Sequence, residues 1–426
     1  MSPSLNSLSA REIAAGVLSG AFSALDVVEA CLARIAEREP DVGAWVHLDP
    51  EHARAQARAV DSVREKGPLA GVPFGVKDVI DTHDMPTGMG SPIYDGHRPP
   101  ADATCVAQVR QAGAVILGKT VTCEFAGLTP RATRNPHDPA RTPGGSSSGS
   151  GAAVADLMAA AAFGTQTGGS VIRPSSYCGI VGFKPGFDTY SLKGVFPAAE
   201  SLDTLGLHAR TVDDIALLDA VLARRPETAL PPLEGGHVIG LCRTWMWDSA
   251  QPETRAAVQE AATALAAAGI EVREVELPPD FERLGAMRAA INNWERAFAM
   301  GDEWRRFPDR LSEQMRATVS AGLAMERAEY DAALVQMGLC RALTEHAFAG
   351  CDVLLTPAVD GEAPVGLAAT GSPQFQALWT MLHVPTITLP THRGPNGMPV
   401  GIQLVGRPRG DLRLLAIAAG VAETLS

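Results

Sequence analysis

The chain has 426 residues with 48 acidic against 36 basic side chains, a formal net charge of −12. That balance argues against nucleic acid as a partner, because phosphate binding rests on neutralisation by Lys and Arg. With 46% hydrophobic and 20% charged residues the composition is globular, and no apolar stretch approaches the roughly 18–20 residues a bilayer span needs.

Only 5% of residues are aromatic, so Ala, Val and Leu must build the core, which favours close helix–sheet contacts. The N-terminus lacks the basic and apolar segments of a signal peptide. Seven cysteines without framework spacing fit a reducing cytoplasm. No Cys or His pair has zinc spacing, so no metal is expected.

Ser9-Ala-Arg-Glu12 has the capping-box pattern and predicts a helix ending near Gly20. A second helix is predicted over 24–38, with Leu25, Val28, Leu32 and Ile35 on one face. A strand over 44–48 follows, then a helix from Asp49-Pro50 to about Glu65. Residues 71–81 read as a short apolar strand with Lys77 in its middle, where neighbouring Val76, Val79 and Ile80 suggest burial. A helix over 102–112, capped by Asp102, leads into a strand over 114–119. Beyond a Pro/Arg/His loop come a helix over 149–160, a buried strand over 161–165 and a helix over 212–223. Residues 224–236 form a Pro-rich surface connection. An Ala-rich helix over 253–268, a strand over 270–275 and a helical stretch over 280–349 follow. Strands over 351–357, 384–390 and 398–406 and a helix over 411–425 close the chain. Core-type strands at both ends around a helical insert predict one sheet assembled from both halves.

Two glycine- and serine-rich turns stand out, Gly144-Gly-Ser146-Ser-Ser-Gly and Gly164-Thr-Gln-Thr-Gly-Gly-Ser170. The segment between them is just long enough for one helix and one strand, which sets hydroxyls at the ends of buried elements. The NH groups of Thr167, Gly168, Gly169 and Ser170 can converge on one anion, as acyl transfer requires. Gly145-Ser-Ser147-Ser-Gly149 formally matches the nucleophile elbow, but the Pro-rich segment before it cannot be the strand that elbow needs. The dinucleotide fingerprint and the phosphate loop are matched only in part. Cys178 reads as a small hydrophobe in a packed turn.

The lysine strand, the Gly-Gly-Ser-Ser turn and the Gly-Gly-Ser turn together resemble the amidase signature family. The resemblance is dense from about 70 to 215, returns at Thr356-Pro357 and 384–406, and fades over 225–350. It implies an α/β fold: a single large α/β/α domain over 1–426 with a central mixed sheet covered by helices. Within it, 1–65 would be an N-terminal helical segment, 66–224 the catalytic core, 225–350 a variable substrate-side region and 351–426 the completing strands and helix. By the same resemblance Lys77 is the base, Ser146 the bridging serine after a cis bond at Gly145–Ser146, and Ser170 the nucleophile. No cofactor is implied, and a homodimer is.

A serine hydroxyl attacks only when a base takes its proton. Lysine, with a pKa of about 10.4 in solution, can serve only if desolvation brings it to about 7–8. The relay then runs from Ser170 through Ser146 to Lys77. The family's usual Asp four residues before the nucleophile and Arg two after it are replaced by Gln166 and Ile172, with Arg173 displaced by one and assigned no role. Loss of both together avoids an unpaired buried charge. Ser148, often Gly in the family, is expected to cap a helix.

The acyl pocket is expected at Glu124, Ala126, Gly127 and Leu128. Trp294, Met300 and Trp379 are candidates for an apolar wall, ordinary core being the plainer role for each. The expected activity is amide hydrolysis of a small, neutral, partly apolar carboxamide, with an aryl amide, ester or carbamate as variants. The alternatives are an amidotransferase subunit that releases ammonia from glutamine or asparagine to a partner, and a silent binding protein on the same fold.

Overall fold

Strand-forming runs from both ends of the chain meet in one mixed sheet of eleven strands among the residues described by this computed structural model, which are 4–226, 230 and 236–426. The N-terminal half contributes β1 (Trp45–Leu48), β2 (Pro73–Lys77), β3 (Val115–Thr120), β4 (Ala161–Gln166), β5 (Val181–Lys184) and β6 (Thr204–Ala209). The C-terminal half adds β7 (Val238–Leu241), β8 (Glu271–Glu274), β9 (Val353–Pro357), β10 (Thr386–Arg393) and β11 (Pro399–Gly406). Their order is β1-β3-β2-β4-β6-β5-β10-β11-β9-β7-β8. The two halves join where β5 runs antiparallel to β10, Lys184 opposite Thr386 and Gly182 opposite Thr388.

The parallel triplet β3-β2-β4 sets the position of the site. Every residue of these three strands is buried, as expected of a parallel sheet covered on both faces. All three strands end on the same edge, so the segments after β3 and β4 emerge beside the last residue of β2. Ligands of open α/β sheets bind beyond such carboxyl ends.

Most predicted elements are present, and the departures have local causes. The second helix runs Ala24–Val42, past Pro40, and ends on left-handed Gly43. Lys77 is the last residue of its strand rather than the middle, because the chain turns at Lys77–Ile80. Asp102 does not cap the Thr104–Gln111 helix, whose N-cap is Ala103; its carboxylate accepts from the His83 N–H and pairs with Arg110. The helix after the first Gly/Ser turn is shorter, Ser148–Ala155, and Leu157 turns left-handed beyond it. Ser148 lies inside that helix and its hydroxyl is directed at the Val121 carbonyl, so it is not a cap. Strands β5, β6 and β7 and the Ile172–Cys178 helix were not anticipated. Much of the Pro-rich connection, 227–229 and 231–235, lies outside the described residues. No helix among the described residues is long and apolar enough to cross a membrane.

Gly149 shows how tightly the first Gly/Ser turn is seated. A Cβ there would collide with the Ala44 carbonyl oxygen and the Val121 backbone nitrogen, neither of which can move without disturbing β1 and β3. Gly149→Ala should therefore lower stability by about 1–3 kcal/mol, as overpacking does, read as a fall in the urea midpoint. An unchanged midpoint would mean that the turn floats on the sheet.

Candidate active site

The Lys77 side chain is fully buried at the end of β2. Its Nζ lies 2.8 Å from Ser146 Oγ and 2.7 Å from Thr165 Oγ1, the latter carried by neighbouring β4. Burial pushes its pKa down to about 7, with nearby Cys123 and Asp203 pulling the other way. Near neutrality the amine therefore divides between two forms. The ammonium donates to Ser146 Oγ, whereas the free amine accepts the Ser146 proton.

Ser146 follows a cis peptide bond from Gly145 and is almost wholly buried. Its carbonyl accepts from the Cys123 N–H at 3.2 Å. Arg173, which the sequence reading left without a role, donates from Nη2 to the Gly145 carbonyl at 2.6 Å and to Thr370 Oγ1 at 3.1 Å. The two turns are tied together by the Ser147 N–H, which donates to the Ser170 carbonyl at 3.4 Å.

Ser170 is half-buried and opens on a cavity of about 320 Å³. Thr167, Gly168 and Gly169 line the same cavity, and among the described residues no hydrogen bond occupies their N–H groups or that of Ser170. Gln166 braces this turn. Its Oε1 accepts from the N–H groups of Val171 at 2.9 Å and Ile172 at 3.1 Å, and its Nε2 donates to Thr380 Oγ1 at 3.1 Å. A neutral amide thus stands where the family's Asp would, and buried Ile172 needs no counter-charge. Asp203 holds the other side. It accepts from Thr167 Oγ1 at 2.5 Å and from the Ala198 and Ala199 N–H groups, and burial raises its pKa to about 6. Gly169 admits no side chain, since a Cβ would strike Gln376 Oε1.

Ala126, Gly127 and Leu128 line the cavity. Glu124 is not among the lining residues. Its carboxylate accepts from the Ser312 N–H at 3.1 Å and from Ser91 Oγ at 3.3 Å, fixing the start of the Glu313–Ala324 helix. Trp379 and Met300 are core side chains. Trp294 stacks on Tyr330 in a separate surface cleft of about 600 Å³ that shares no lining residue with the Ser170 cavity. Cys178 is buried, its thiol pKa raised by burial, and its Sγ–H points at the Pro143 carbonyl.

The sequence reading missed Arg173, Arg288 and Arg296, all on the cavity wall. A signal was available for two of them. Arg288, Asn292 and Arg296 recur every fourth residue along the Leu284–Ala299 helix, a polar stripe on one face.

A family model described as Amidase matches residues 26–415. The chain belongs to the amidase signature family. This amidase-family chain is 34% identical to the A subunit of the glutamyl-tRNA(Gln) amidotransferase of Anaeromyxobacter sp. (strain K), over 98% of its own length and 96% of that protein's. A solved structure described as an amidase superposes with a TM-score of 0.89 at 31% identity, over 98% of this chain and 99% of the other. A chain of a vestigial protein complex that bears on the evolutionary origins of an s-triazine catabolic enzyme gives 0.88 at 31% identity over 98% of both chains. The mixed sheet and its helical cover are thus the family's fold.

The buried amine has a stability signature whose sign follows from its lowered pKa. A lysine that ionises less readily inside than in the unfolded chain opposes folding most at and below pH 7, and the cost fades as pH rises toward the unfolded value. Lys77→Met should therefore gain on the wild type by on the order of 2 kcal/mol more at pH 7 than at pH 9. Urea midpoints at the two pH values measure this, and a pH-independent difference would contradict the burial argument.

Proposed function

We propose that the protein hydrolyses the C–N bond of a small carboxamide through an acyl-serine intermediate on Ser170, with Ser146 as proton bridge and Lys77 as base. One observation carries the reading: the buried Lys77 amine, with its pKa lowered to about 7, lies 2.8 Å from Ser146 Oγ, behind the turn that bears Ser170. Free-amine Lys77 accepts the Ser146 proton while Ser146 accepts that of Ser170. Ser170 Oγ then attacks the carbonyl carbon, and the resulting oxyanion is received by the unoccupied N–H groups of residues 167–170. Collapse breaks the C–N bond as Ser146 returns a proton to the departing amine and regains one from Lys77. Water, deprotonated through the same relay, cleaves the ester to the acid and restores Ser170. No step calls for a cofactor. The seven cysteines, all free and buried, support a cytoplasmic setting.

A second reading is favoured by the similarity to the glutamyl-tRNA(Gln) amidotransferase: the same acyl-serine chemistry releasing ammonia to a partner protein. The isolated chain distinguishes the two, since amide turnover without any added protein supports the first. Ammonia release that appears only with a second protein present supports the other.

Ser170→Ala and Lys77→Ala should each lower kcat by at least about a thousandfold while leaving the far-UV circular dichroism intact. A fluorophosphonate should label Ser170 and no other residue, as read by peptide mass. Retained turnover in Ser170→Ala would remove the nucleophile assignment.

Because the free amine is the active form, kcat/KM should fall about tenfold per pH unit below pH 7 and level off above it. A flat profile between pH 5 and 8 would remove Lys77 as the base.

A further inference from the structure

The wall of the Ser170 cavity carries three arginines and no Asp or Glu, in a chain of net charge −12. Two of the three have unused hydrogen-bonding capacity. Arg296 donates from Nη1 to the Phe125 carbonyl at 2.7 Å, and nearby buried Asp203 and Glu124 offset its charge. Arg173 is 2% exposed, yet only its Nη2 is engaged, and its Nε and Nη1 have no partner. Arg288 makes no hydrogen bond or ion pair among the described residues. Its guanidinium reaches the turn that bears Ser170, since a Cβ added at Gly168 would lie 3.4 Å from Arg288 Nη1. Burial lowers the pKa of both side chains; Arg173 is almost wholly enclosed, whereas Arg288 is half-buried at the cavity wall.

A guanidinium with nitrogens withdrawn from water and without partners, as in Arg173, is costly. A planar anion of two oxygens repays that cost, because it accepts two parallel N–H bonds from such a group. A cleft lined by one sign of charge also concentrates ligands of the other. The neutral, partly apolar carboxamide expected from the sequence leaves these donors unmet.

We propose that the amide cleaved at Ser170 carries a carboxylate, received by Arg288 and Arg173 in this cavity, so that the substrate class is the half-amide of a short dicarboxylic acid. The proposal rests on the acyl-serine reading for the reaction, but not for the binding. A free α-amino group on the substrate is disfavoured, because its ammonium would face three cations and no lining carboxylate. Hydrolysis then yields a dicarboxylate and ammonia, and the reaction that supplies the substrate must leave one acid free and one as its amide.

The test separates binding from chemistry. Calorimetry on Ser170→Ala compares the half-amides of malonic, succinic and glutaric acids, each with its own neutral diamide, and sets glutamine beside the glutaric half-amide. At least one half-amide should bind about tenfold or more tighter than its diamide. That preference should disappear in Arg288→Gln and return in part in Arg288→Lys. Glutamine should bind more weakly than the glutaric half-amide. If no half-amide outbinds its diamide, or if Arg288→Gln keeps the preference, the proposal is overturned. Glutamine binding as tightly as the glutaric half-amide would overturn the exclusion of the ammonium. Fluorophosphonate labelling of the wild type is read separately: an unlabelled Ser170 counts against the acyl-serine reading, while the binding comparison stands on its own.

Discussion

A lysine amine with no access to water, 2.8 Å from a serine hydroxyl, is the constraint around which the rest is arranged. Desolvation lowers its pKa to about 7, so that part of it stands as the free amine able to accept a proton at neutral pH, and a sheet covered on both faces keeps it dry. The parallel neighbours β3 and β4 supply that enclosure. They also deliver Thr165 to the other side of the same nitrogen. Chemistry and folding thus pull against each other at one position, and the apolar surface of the sheet makes up the difference.

Around that amine the bracing is largely uncharged. Gln166 gathers the N–H groups of Val171 and Ile172, at the position where the resemblance would put an Asp. A neutral acceptor needs no partner to compensate it, which is why Ile172 can be an ordinary core residue. Asp203, on the other side of the turn, and Arg173 are the exceptions. One Arg173 nitrogen holds the Gly145 carbonyl, so the same side chain that faces the cavity also fixes the peptide ahead of Ser146.

Much of this was legible from the chain alone, for identifiable reasons. Lys77 stood out because a cation in an apolar run is conspicuous, and the two Gly/Ser turns because their spacing allows one helix and one strand between them. What escaped depended on where the chain turns and on which side chains the fold brings together. The position of Lys77 at the end of its strand follows from the Lys77–Ile80 turn, which local apolarity hides. Asp102 looked like a cap from its place before the helix, while the fold turns its carboxylate to the His83 N–H and to Arg110. Glu124 looked like a pocket residue until Ser312, far along the chain, claimed its carboxylate. Arg288 and Arg296 belong to the stretch where resemblance fades, and only the folded helix brings their face to Ser170.

The pairing of β5 with β10 has a bearing on how the molecule is made. Both serine turns leave the ribosome long before residues 386–406, yet the sheet that carries them is unfinished until those strands dock beside Gly182 and Lys184. During synthesis the nascent N-terminal half therefore presents an open hydrogen-bonding edge at β5, and it must wait with that edge exposed while some two hundred further residues are added.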